Sequence, residues 1–369
     1  MKFTCTQENF FHGLQTVSHI AGRTSTLPIL KNLLIVAEKE GITLASTNLE
    51  LGITTKIRGK VETPGSFTVQ ARVLVDYVSL LPPGNIQAHL ENGEFHLSGA
   101  GSKTSLKGLP AEDFPVIPKV QDGARFSLPA ATLKAALATT VFAVATDESR
   151  PEINGVLLHL HDQTFTFAAT DSYRLAEAKI PLTASKDEQR AIVPSRSLQE
   201  LLRALPDSGD VAVVLGENQV GFSAADLEIV SRLIEGQFPD YTQIIPASFR
   251  TKLTLEAEGF AKTVRQVSLF CRSGINDVTI AAAAGADEVT VSAANAQVGA
   301  SEARFPAVSS GGEARIVFNW RFLLDGLQAI GGGDVELQLN DEKSPGLLTP
   351  KTQAKGAPAF RYLVMPIRQ

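Results

Sequence analysis

Cysteine is scarce in this sequence, and long apolar runs are missing from it. The 369 residues include only two cysteines, Cys5 and Cys271, too few for a disulfide framework or a zinc-ligand pattern. No run approaches the roughly 18–20 apolar residues that a membrane-spanning helix needs. The first residues, MKFTCTQENFFHGL, also lack the apolar segment of a signal peptide. We therefore expect a cytoplasmic protein with buried, free thiols.

Signatures of catalysis are missing as well. The sequence contains no Walker-type phosphate loop and no G-x-G-x-x-G segment after a predicted strand. His159 and His161 could begin a metal site on one face of a strand, but no third ligand lies nearby in sequence, so exposed strand histidines explain them better. The stretch Asp171–Tyr173 has no matched base or nucleophile. We predict no catalytic residue, no metal and no cofactor.

Neither sign of charge dominates the composition. The formal net charge is −5, with 20% charged and 44% hydrophobic residues, which is typical of a soluble globular protein. The length predicts two or three domains, because one hydrophobic core rarely serves so many residues. The small net charge does not suggest a simple basic nucleic-acid binder, nor does it exclude one, because the electric field depends on where charges lie.

Three similar segments recur along the chain at a nearly constant interval. Phe165–Leu175, FTFAATDSYRL, alternates apolar and polar residues and then meets the polar letters TDS, a pattern that predicts a strand running into a turn. Weaker copies lie 123 residues upstream, at Ile42–Leu51, and 124 residues downstream, at Val289–Val298. We infer three similar domains.

A helix with matched positions is the clearest repeat. The stretches 69–84, 193–209 and 318–333 each carry an arginine, a leucine and an acid at equivalent places and end in Pro or Gly. With the strand patterns around them, they predict an α+β fold in which two amphipathic helices per domain cover one face of an antiparallel sheet. We place the domains at 1–122, 123–249 and 250–369, and we expect Asp341–Pro358 to be a mobile surface loop.

Five segments spread over the chain carry a family resemblance. They are TLPIL (26–30), RPEINGV (150–156), ATDSYRLA (169–176), VSRLIEGQFPDY (230–241) and YLVMPIRQ (362–369). Together they resemble the bacterial sliding clamps, the beta subunits of DNA polymerase III, over the full length. The resemblance implies a head-to-tail homodimeric ring of six DNA-clamp domains, with helices lining the hole and sheets on the outer rim.

The same resemblance implies partners and a binding pocket. Double-stranded DNA would thread the ring, while the replicative polymerase, the clamp loader, other polymerases and repair proteins would dock through short peptides between the second and third domains. The residues that it places in this pocket are Arg150, Ile153, Thr170, Ser172, Tyr173, Arg174, Leu175, Pro239, Ile244, Asn319, Leu363, Val364, Met365, Pro366 and Ile367. Arg368 would lie at the rim. Ordinary core packing is the alternative for Leu175, Ile244 and Val364.

Basic residues on the predicted inner helices are candidates for DNA contact. The leading candidates are Arg23, Arg72, Arg196 and Arg321, and the weaker ones are Lys134, Arg203, Lys262 and Arg265. The alternative is that the three helix arginines lie on a solvated helix face and form ion pairs with the acids four residues later, which stabilise a helix by only about 0.2–0.5 kcal/mol each.

The resemblance also suggests a subunit contact and a function. Leu106 of the first domain would meet Leu269 and Phe270 of the third domain of the partner, whereas the alternative is that all three lie in intradomain cores. The leading hypothesis is a non-enzymatic DNA clamp that acts as a processivity factor. The alternatives are a peptide-binding scaffold without DNA, and an enzyme that uses a cleft between domains.

Overall fold

Each third of the chain begins with a strand that runs directly into a helix, as the sequence predicts. The computed structural model describes residues 1–22, 27–147, 149–182 and 188–368. The first helix begins after Thr6, whose side-chain oxygen accepts a hydrogen bond at 3.3 Å from a backbone N–H of the first turn. This bond satisfies one of the free donors at the start of a helix.

The same sequence of elements is repeated in the three thirds. The first third contains β1 (Lys2–Thr6), α1 (Gln7–Ser18), β2 (Asn32–Glu38), β3 (Gly41–Thr47), β4 (Leu51–Ile57), β5 (Lys60–Thr63), β6 (Gly65–Gln70), α2 (Ala71–Leu80), β7 (Asn85–Glu91), β8 (Glu94–Gly99) and β9 (Ser102–Leu109). The second contains β10 (Ala124–Pro129), α3 (Ala130–Thr140), β11 (Gly155–His161), β12 (Thr164–Thr170), β13 (Arg174–Pro181), β14 (Gln189–Pro194), α4 (Ser195–Ala204), β15 (Asp210–Leu215), β16 (Gln219–Ala224) and β17 (Leu227–Arg232). The third contains β18 (Thr251–Glu256), α5 (Ala257–Val267), β19 (Asp277–Ala282), β20 (Glu288–Asn295), β21 (Gly299–Pro306), β22 (Val308–Gly311), β23 (Ala314–Asn319), α6 (Trp320–Ile330), β24 (Asp334–Leu339), β25 (Gly346–Pro350) and β26 (Ala359–Val364).

The chain divides into two compact units. Unit 1 comprises Met1–Ala131 and Gln199–Leu233. Its strands form one antiparallel sheet in the order β10-β15-β16-β17-β4-β3-β2-β6-β9-β8-β7-β1-β5. Phe3 of β1 packs edge-on against Phe10 of α1, with both rings fully buried, so the helix covers the apolar face of the sheet. The pairing of β4 with β17 joins the first third of the chain to the second.

Unit 2 comprises Thr132–Leu198 and Ile234–Gln369. It contains a sheet in the order β14-β11-β12-β13-β26-β25-β24-β18-β22 and a smaller sheet in the order β21-β20-β19-β23, both antiparallel in every pair. The pairing of β13 with β26 joins the second third of the chain to the third. Antiparallel sheets covered by helices confirm the fold class that the sequence predicts.

The prediction of a loop over Asp341–Pro358 is wrong at its centre. β25 lies there, between β24 and β26, and Leu347 and Leu348 are buried to 7% and 0% exposure. The backbone hydrogen bonds of two neighbouring strands hold this segment in the sheet. Its few apolar residues among Gly, Pro and Lys give too weak a pattern for sequence reasoning to find.

The described helices are short compared with a membrane-spanning helix. The longest described helix, α1, has 12 residues. None of the described helices is long and apolar enough to cross a membrane.

Candidate functional site

A tight turn joins β12 to β13 and exposes Tyr173. Ser172 has a φ of +76°, a conformation that residues other than glycine rarely adopt. Thr170 Oγ1 accepts a hydrogen bond from the N–H of Ser172 at 3.1 Å and donates one to the carbonyl of Arg174 at 2.6 Å. Asp171 Oδ1 accepts from the N–H groups of Tyr173 at 2.9 Å and Arg174 at 3.0 Å. These bonds offset the strain and leave Tyr173 65% exposed.

Arg174 lies at the centre of the site. Its Nε donates to Asp171 Oδ2 at 2.9 Å, and its Nη1 donates to Asp325 Oδ2. Its Nη2 donates to the carbonyl of Phe142 at 3.0 Å, while the guanidinium carbon lies 4.7 Å from the ring centroid of Phe322. Bonds between charged groups are the strong ones, and a ring face attracts a cation. Arg174 therefore ties the turn to α6.

The end of the chain runs beside this turn. In the pairing of β13 with β26, Arg174 lies opposite Val364. Beyond the strand, the N–H of Met365 donates to the carbonyl of Tyr173 at 2.9 Å, and the N–H of Ile367 donates to the carbonyl of Val317 at 2.8 Å. Two parts of the chain that are far apart in sequence are thus fixed side by side.

Apolar side chains form a partly exposed surface at this place, which we call the terminal surface. Its members are Tyr173, Phe322, Met365, Pro366 and Ile367. The rings of Tyr173 and Phe322 stack with their centroids 6.3 Å apart. Exposed aromatic and thioether groups bind apolar side chains of a ligand well, and Met adapts to several shapes. The arrangement suits peptide binding.

Four of the predicted pocket residues lie in the core instead of on this surface. Ile153, Leu175, Leu363 and Val364 are at most 3% exposed. Leu175 and Leu363 belong to a buried cluster that includes Tyr241. Core packing, the alternative reading, therefore describes Leu175 and Val364, and these residues support the surface from below.

The remaining predicted pocket residues lie around the turn or further from it. Arg150 Nη1 donates to Ser172 Oγ at 3.0 Å, which places it beside the turn. Asn319 caps α6 by accepting from the N–H of Arg321 at 3.0 Å. Pro239 and the 44% exposed Ile244 lie near Tyr241 in sequence, but the residues that pack against the cluster of Tyr241 are Phe238, Ile245 and Phe249.

Sequence reasoning missed several residues that build the site. Phe142 and Phe322 hold Arg174 by contacts across the chain, and Tyr362 donates its hydroxyl to the carbonyl of Phe322 at 2.9 Å. Asp325 was recognised only as a repeated helix acid. No local pattern identifies such partners, because the tertiary fold alone brings them together.

Glu177 forms a buried ion pair in the strand below the turn. Glu177 is only 1% exposed. Its carboxylate accepts hydrogen bonds from the Tyr241 hydroxyl at 2.8 Å and from the guanidinium of Arg361. Burial alone raises the pKa of Glu177, but Arg361, Tyr241 and Lys179 together bring this pKa below its ordinary value. The ion pair between Glu177 and Arg361 links β13 to β26, so within unit 2 it connects the second third of the chain to the last third.

Replacing Glu177 with alanine should lower the free energy of unfolding by about 3 kcal/mol, because it leaves Arg361 poorly paired. Lys179→Ala is the matched control, since the Lys179 side chain is 41% exposed, and it should change this free energy by about 0.5 kcal/mol or less. The contribution of Glu177 is full above the ordinary glutamate pKa and is lost as the pH falls through the lowered one. Urea unfolding at several pH values measures both effects, and equal losses in the two variants would contradict the assignment.

The candidate DNA-contacting arginines occupy one repeated position. Arg72, Arg196 and Arg321 are each the second residue of their helix, in α2, α4 and α6, and all three are exposed. A positive charge at a helix start opposes the helix dipole. Three such placements are unfavourable for the helix dipoles, and an anion bound at these helix starts would offset that cost. Arg23 lies outside the described residues.

The ion pairs expected for these arginines form in only one case. Arg72 Nε lies 3.7 Å from Asp76. Glu200 pairs instead with Arg203 at 2.8 Å, and Asp325 pairs with Arg174. The acids are better placed for other arginines, so the ion-pair part of the alternative is wrong for Arg196 and Arg321, although both lie on exposed helix faces. Arg321 lies over the ring of the neighbouring tryptophan, 5.3 Å from its centroid.

Among the weaker candidates, Arg203 has a structural role. Its Nη1 and Nη2 donate to the carbonyls of Gln15 at 3.3 Å and Thr16 at 2.6 Å, in the last turn of α1. A cation at this end of a helix satisfies free carbonyls and the dipole. Lys134, Lys262 and Arg265 lie on α3 and α5.

The predicted subunit contact residues lie at two sheet edges. Leu106 is on β9, which pairs with β8 on one side and on the other touches β6 only through Gly108 and Leu109. Leu269 is 73% exposed just after α5, and Phe270 packs near Gly299, the first residue of β21. Strand β21 pairs only with β20 among the described strands. None of the three hydrophobic residues belongs to the buried core, so the core alternative is not supported.

Comparison with known proteins decides the family. Models described as the N-terminal, central and C-terminal domains of the DNA polymerase III beta subunit match residues 1–118, 127–240 and 242–368. A beta sliding clamp of Synechocystis is 32% identical over 392 residues, covering 100% of this chain and 99% of that protein. The chain belongs to the beta sliding clamp family. The clamp of Bacillus subtilis is 29% identical over 381 residues, with both chains covered completely.

Solved structures of sliding clamps agree with this assignment. A Pseudomonas aeruginosa clamp bound to griselimycin superimposes with a TM-score of 0.95 at 28% identity, and each chain is covered completely. The Bacillus subtilis clamp superimposes with a TM-score of 0.93 at 27% identity, covering 100% of this chain and 99% of that one. The three repeated domains are therefore clamp domains.

Proposed function

We propose that this member of the beta sliding clamp family closes into a head-to-tail dimeric ring, encircles duplex DNA and tethers the replicative polymerase as a processivity factor. Its role is topological and needs no catalytic group. The cytoplasmic location expected from the sequence stays a prediction. We also retain the domain boundaries 1–122, 123–249 and 250–369 as a proposal, to which the separate family matches lend support.

The observation that carries this proposal is the repeated strand junction. Within the chain, neighbouring repeats join by antiparallel pairing of equivalent strands, β4 with β17 and β13 with β26. By the same repeat, β21 corresponds to β4 and β13, and β9 corresponds to β17 and β26. Among the described strands of these two sets, β21 and β9 are the ones whose second edge is largely unpaired, and we infer that a third junction forms between β21 of one chain and β9 of another. Head-to-tail contacts of this kind make a ring when the rotation closes.

The internal junctions also predict the register of the subunit contact. Ile53 lies opposite Ile229 in the first, and Ala176 lies opposite Tyr362 in the second. The equivalent pair at the subunit contact is Ser301 with Thr104 of the partner subunit.

This register gives complementary neighbours. It sets Leu106 opposite the partner subunit's Gly299, where the absent side chain leaves room above Phe270. It also sets Lys103 opposite the partner subunit's Glu302, a pair of opposite charges. Directly opposite residues interact most strongly across an antiparallel pair.

Cysteines placed across this contact should form a disulfide between subunits. Ser105 and Ala300 lie directly opposite in the proposed register, so Ser105→Cys with Ala300→Cys, in a Cys271→Ser background, should oxidise to a covalently closed dimer. Lys107→Cys with Ala300→Cys is the matched control, because a shift by two residues separates the side chains by roughly 7–8 Å. Non-reducing electrophoresis measures the product. Crosslinking of the control pair alone would show that the register is wrong.

DNA contact through the helix arginines is the second part of the proposal. Sliding requires attraction to phosphates without bonds to particular bases. Arg72, Arg196 and Arg321 meet this requirement, because they are exposed, repeated and set at helix starts, where a positive charge opposes the helix dipole. Arg23 remains a candidate from the sequence.

Replacing the three helix arginines with alanine should weaken duplex binding in a salt-dependent way. The slope of log binding constant against log salt should fall by about 0.9 for each arginine that contacts a phosphate. Arg315→Ala is the control, because Arg315 is exposed on β23, in a sheet and not on an inner helix. Anisotropy of labelled duplex across a salt series measures the slope. An unchanged slope in the triple variant would remove these arginines from the DNA path.

Peptide docking at the terminal surface is the third part. The surface combines stacked aromatic rings, an adaptable methionine and a rigid turn held by Arg174. The Pseudomonas aeruginosa relative was solved with griselimycin bound, so clamps of this fold accept a ligand. The replicative polymerase, clamp loader, other polymerases and repair proteins would compete for this one surface in each subunit.

A further inference from the structure

An Asn-Gly turn fixes the register of the hairpin formed by β7 and β8. The two residues of the Asn92–Gly93 turn have φ values of +50° and +78°. Positive φ at both positions is the mark of a type I′ turn, which joins two strands without an offset. Glu91 therefore lies opposite Glu94, and His89 lies opposite His96. Because side chains alternate between the faces of a sheet, all four point to the same face.

The two histidines and one carboxylate on this face converge. The rings of His89 and His96 stack with centroids 4.9 Å apart and an angle of 13° between their planes. His89 Nε2 lies 3.6 Å from Glu91 Oε2, and one ligand atom from each of the three residues lies within 4.8 Å of the others. Tetrahedral Zn²⁺, with bonds of about 2.0–2.2 Å, needs ligand atoms roughly 3.4 Å apart. Small rotations of these surface side chains would bring the ligand atoms from their present spacing to the one that zinc needs.

We propose that His89, Glu91 and His96 form a binding site for a divalent cation of the zinc class. Imidazole and carboxylate together suit Zn²⁺, and the exposure of Glu91 leaves a fourth position open to water. The nearest strand neighbour, Lys2 of β1, directs its ammonium to Glu62 at 2.6 Å and so keeps its charge engaged elsewhere. The site does not depend on ring closure or on DNA.

A second cluster in the chain provides an internal comparison. His159 and His161 stack with centroids 5.5 Å apart, and Glu188 completes a similar group, although sequence reasoning found no third ligand. There, however, Arg190 Nε donates to His159 Nε2 at 3.2 Å. The guanidinium uses the nitrogen lone pair that a metal needs and repels a cation. We expect this cluster to bind zinc more weakly.

Zinc titration of the full chain tests the proposal. Isothermal titration calorimetry with ZnCl₂ compares the wild type with His89→Ala/His96→Ala and with the control His159→Ala/His161→Ala. The wild type and the control should each bind one tightly held Zn²⁺ per chain that the first double variant lacks. His96→Ala or Glu91→Gln alone should weaken that site by at least about tenfold.

The controls separate binding from folding. Because the replaced side chains lie on an open sheet face, circular dichroism of the zinc-free variants should match that of the wild type. Glu91→Gln keeps nearly the same shape and gives the answer if a histidine variant folds poorly. Equal zinc binding by the wild type and the His89→Ala/His96→Ala variant would overturn the proposal, and so would loss of the site only in the His159→Ala/His161→Ala variant.

Discussion

Replacing Leu269 and Phe270 with alanine is expected to convert the dimer into monomers. Leu269 is 73% exposed, and Phe270 borders the free edge of β21 that we propose for the subunit contact. Burying these two side chains contributes about 3 kcal/mol to each contact. A ring has two contacts, so the dimerisation free energy should weaken by about 6 kcal/mol. Sedimentation velocity at micromolar concentration measures the change.

The control for this variant is an exposed hydrophobic residue that lies on neither edge strand. Val116 is 91% exposed in the segment that follows β9, and Val116→Ala should leave the dimer intact. The internal fold of the monomeric variant should be unchanged, because neither replaced residue is buried in the core. A dimer that persists in Leu269→Ala/Phe270→Ala would reject this interface.

Deleting Met365–Gln369 is expected to abolish peptide docking while the dimer survives. The deletion removes Met365, Pro366 and Ile367 from the terminal surface, together with the two backbone hydrogen bonds that hold the segment beside Tyr173 and Val317. Affinity for a labelled peptide from the clamp-binding segment of a matching replicative polymerase should fall by at least about 100-fold, as expected when several central contact residues are lost together. Fluorescence polarisation measures it.

A shorter deletion makes the matched control. Arg368 is exposed and follows the last of these hydrogen bonds, so removing only residues 368–369 should keep most of the affinity. Sedimentation of both truncated chains confirms that the dimer remains. Full affinity in the longer deletion would remove the chain end from the binding surface.

Sequence periodicity predicted the repeated architecture because it depends on local physics. The apolar stripes of the helices and the alternation in Phe165–Leu175 reflect burial on one face, and the interval of about 124 residues carried the pattern through three domains. The sequence did not predict β25, because a strand in the middle of a sheet is held by its neighbours and needs little apolar sequence of its own.

The site was predictable only in part. The turn residues and the chain end could be named from resemblance, but their roles depend on contacts across the fold, such as Arg174 with Asp325 and Phe322. The same limit explains the helix acids, which pair with arginines other than those four residues away. His89 and His96 form a cluster because the register of their hairpin places them opposite each other. The Asn-Gly turn in the sequence is the feature that could have predicted this register.

Retention on DNA tests the central claim most directly. The clamp is loaded by a matching clamp loader onto closed circular or linear duplex, and the amount still bound is measured at raised salt. Topological linkage predicts retention on circles and loss from the free ends of linear molecules, because salt weakens phosphate contacts but cannot open a closed ring. Equal loss from both, in a sample shown to be competent for loading, would contradict the sliding-ring account.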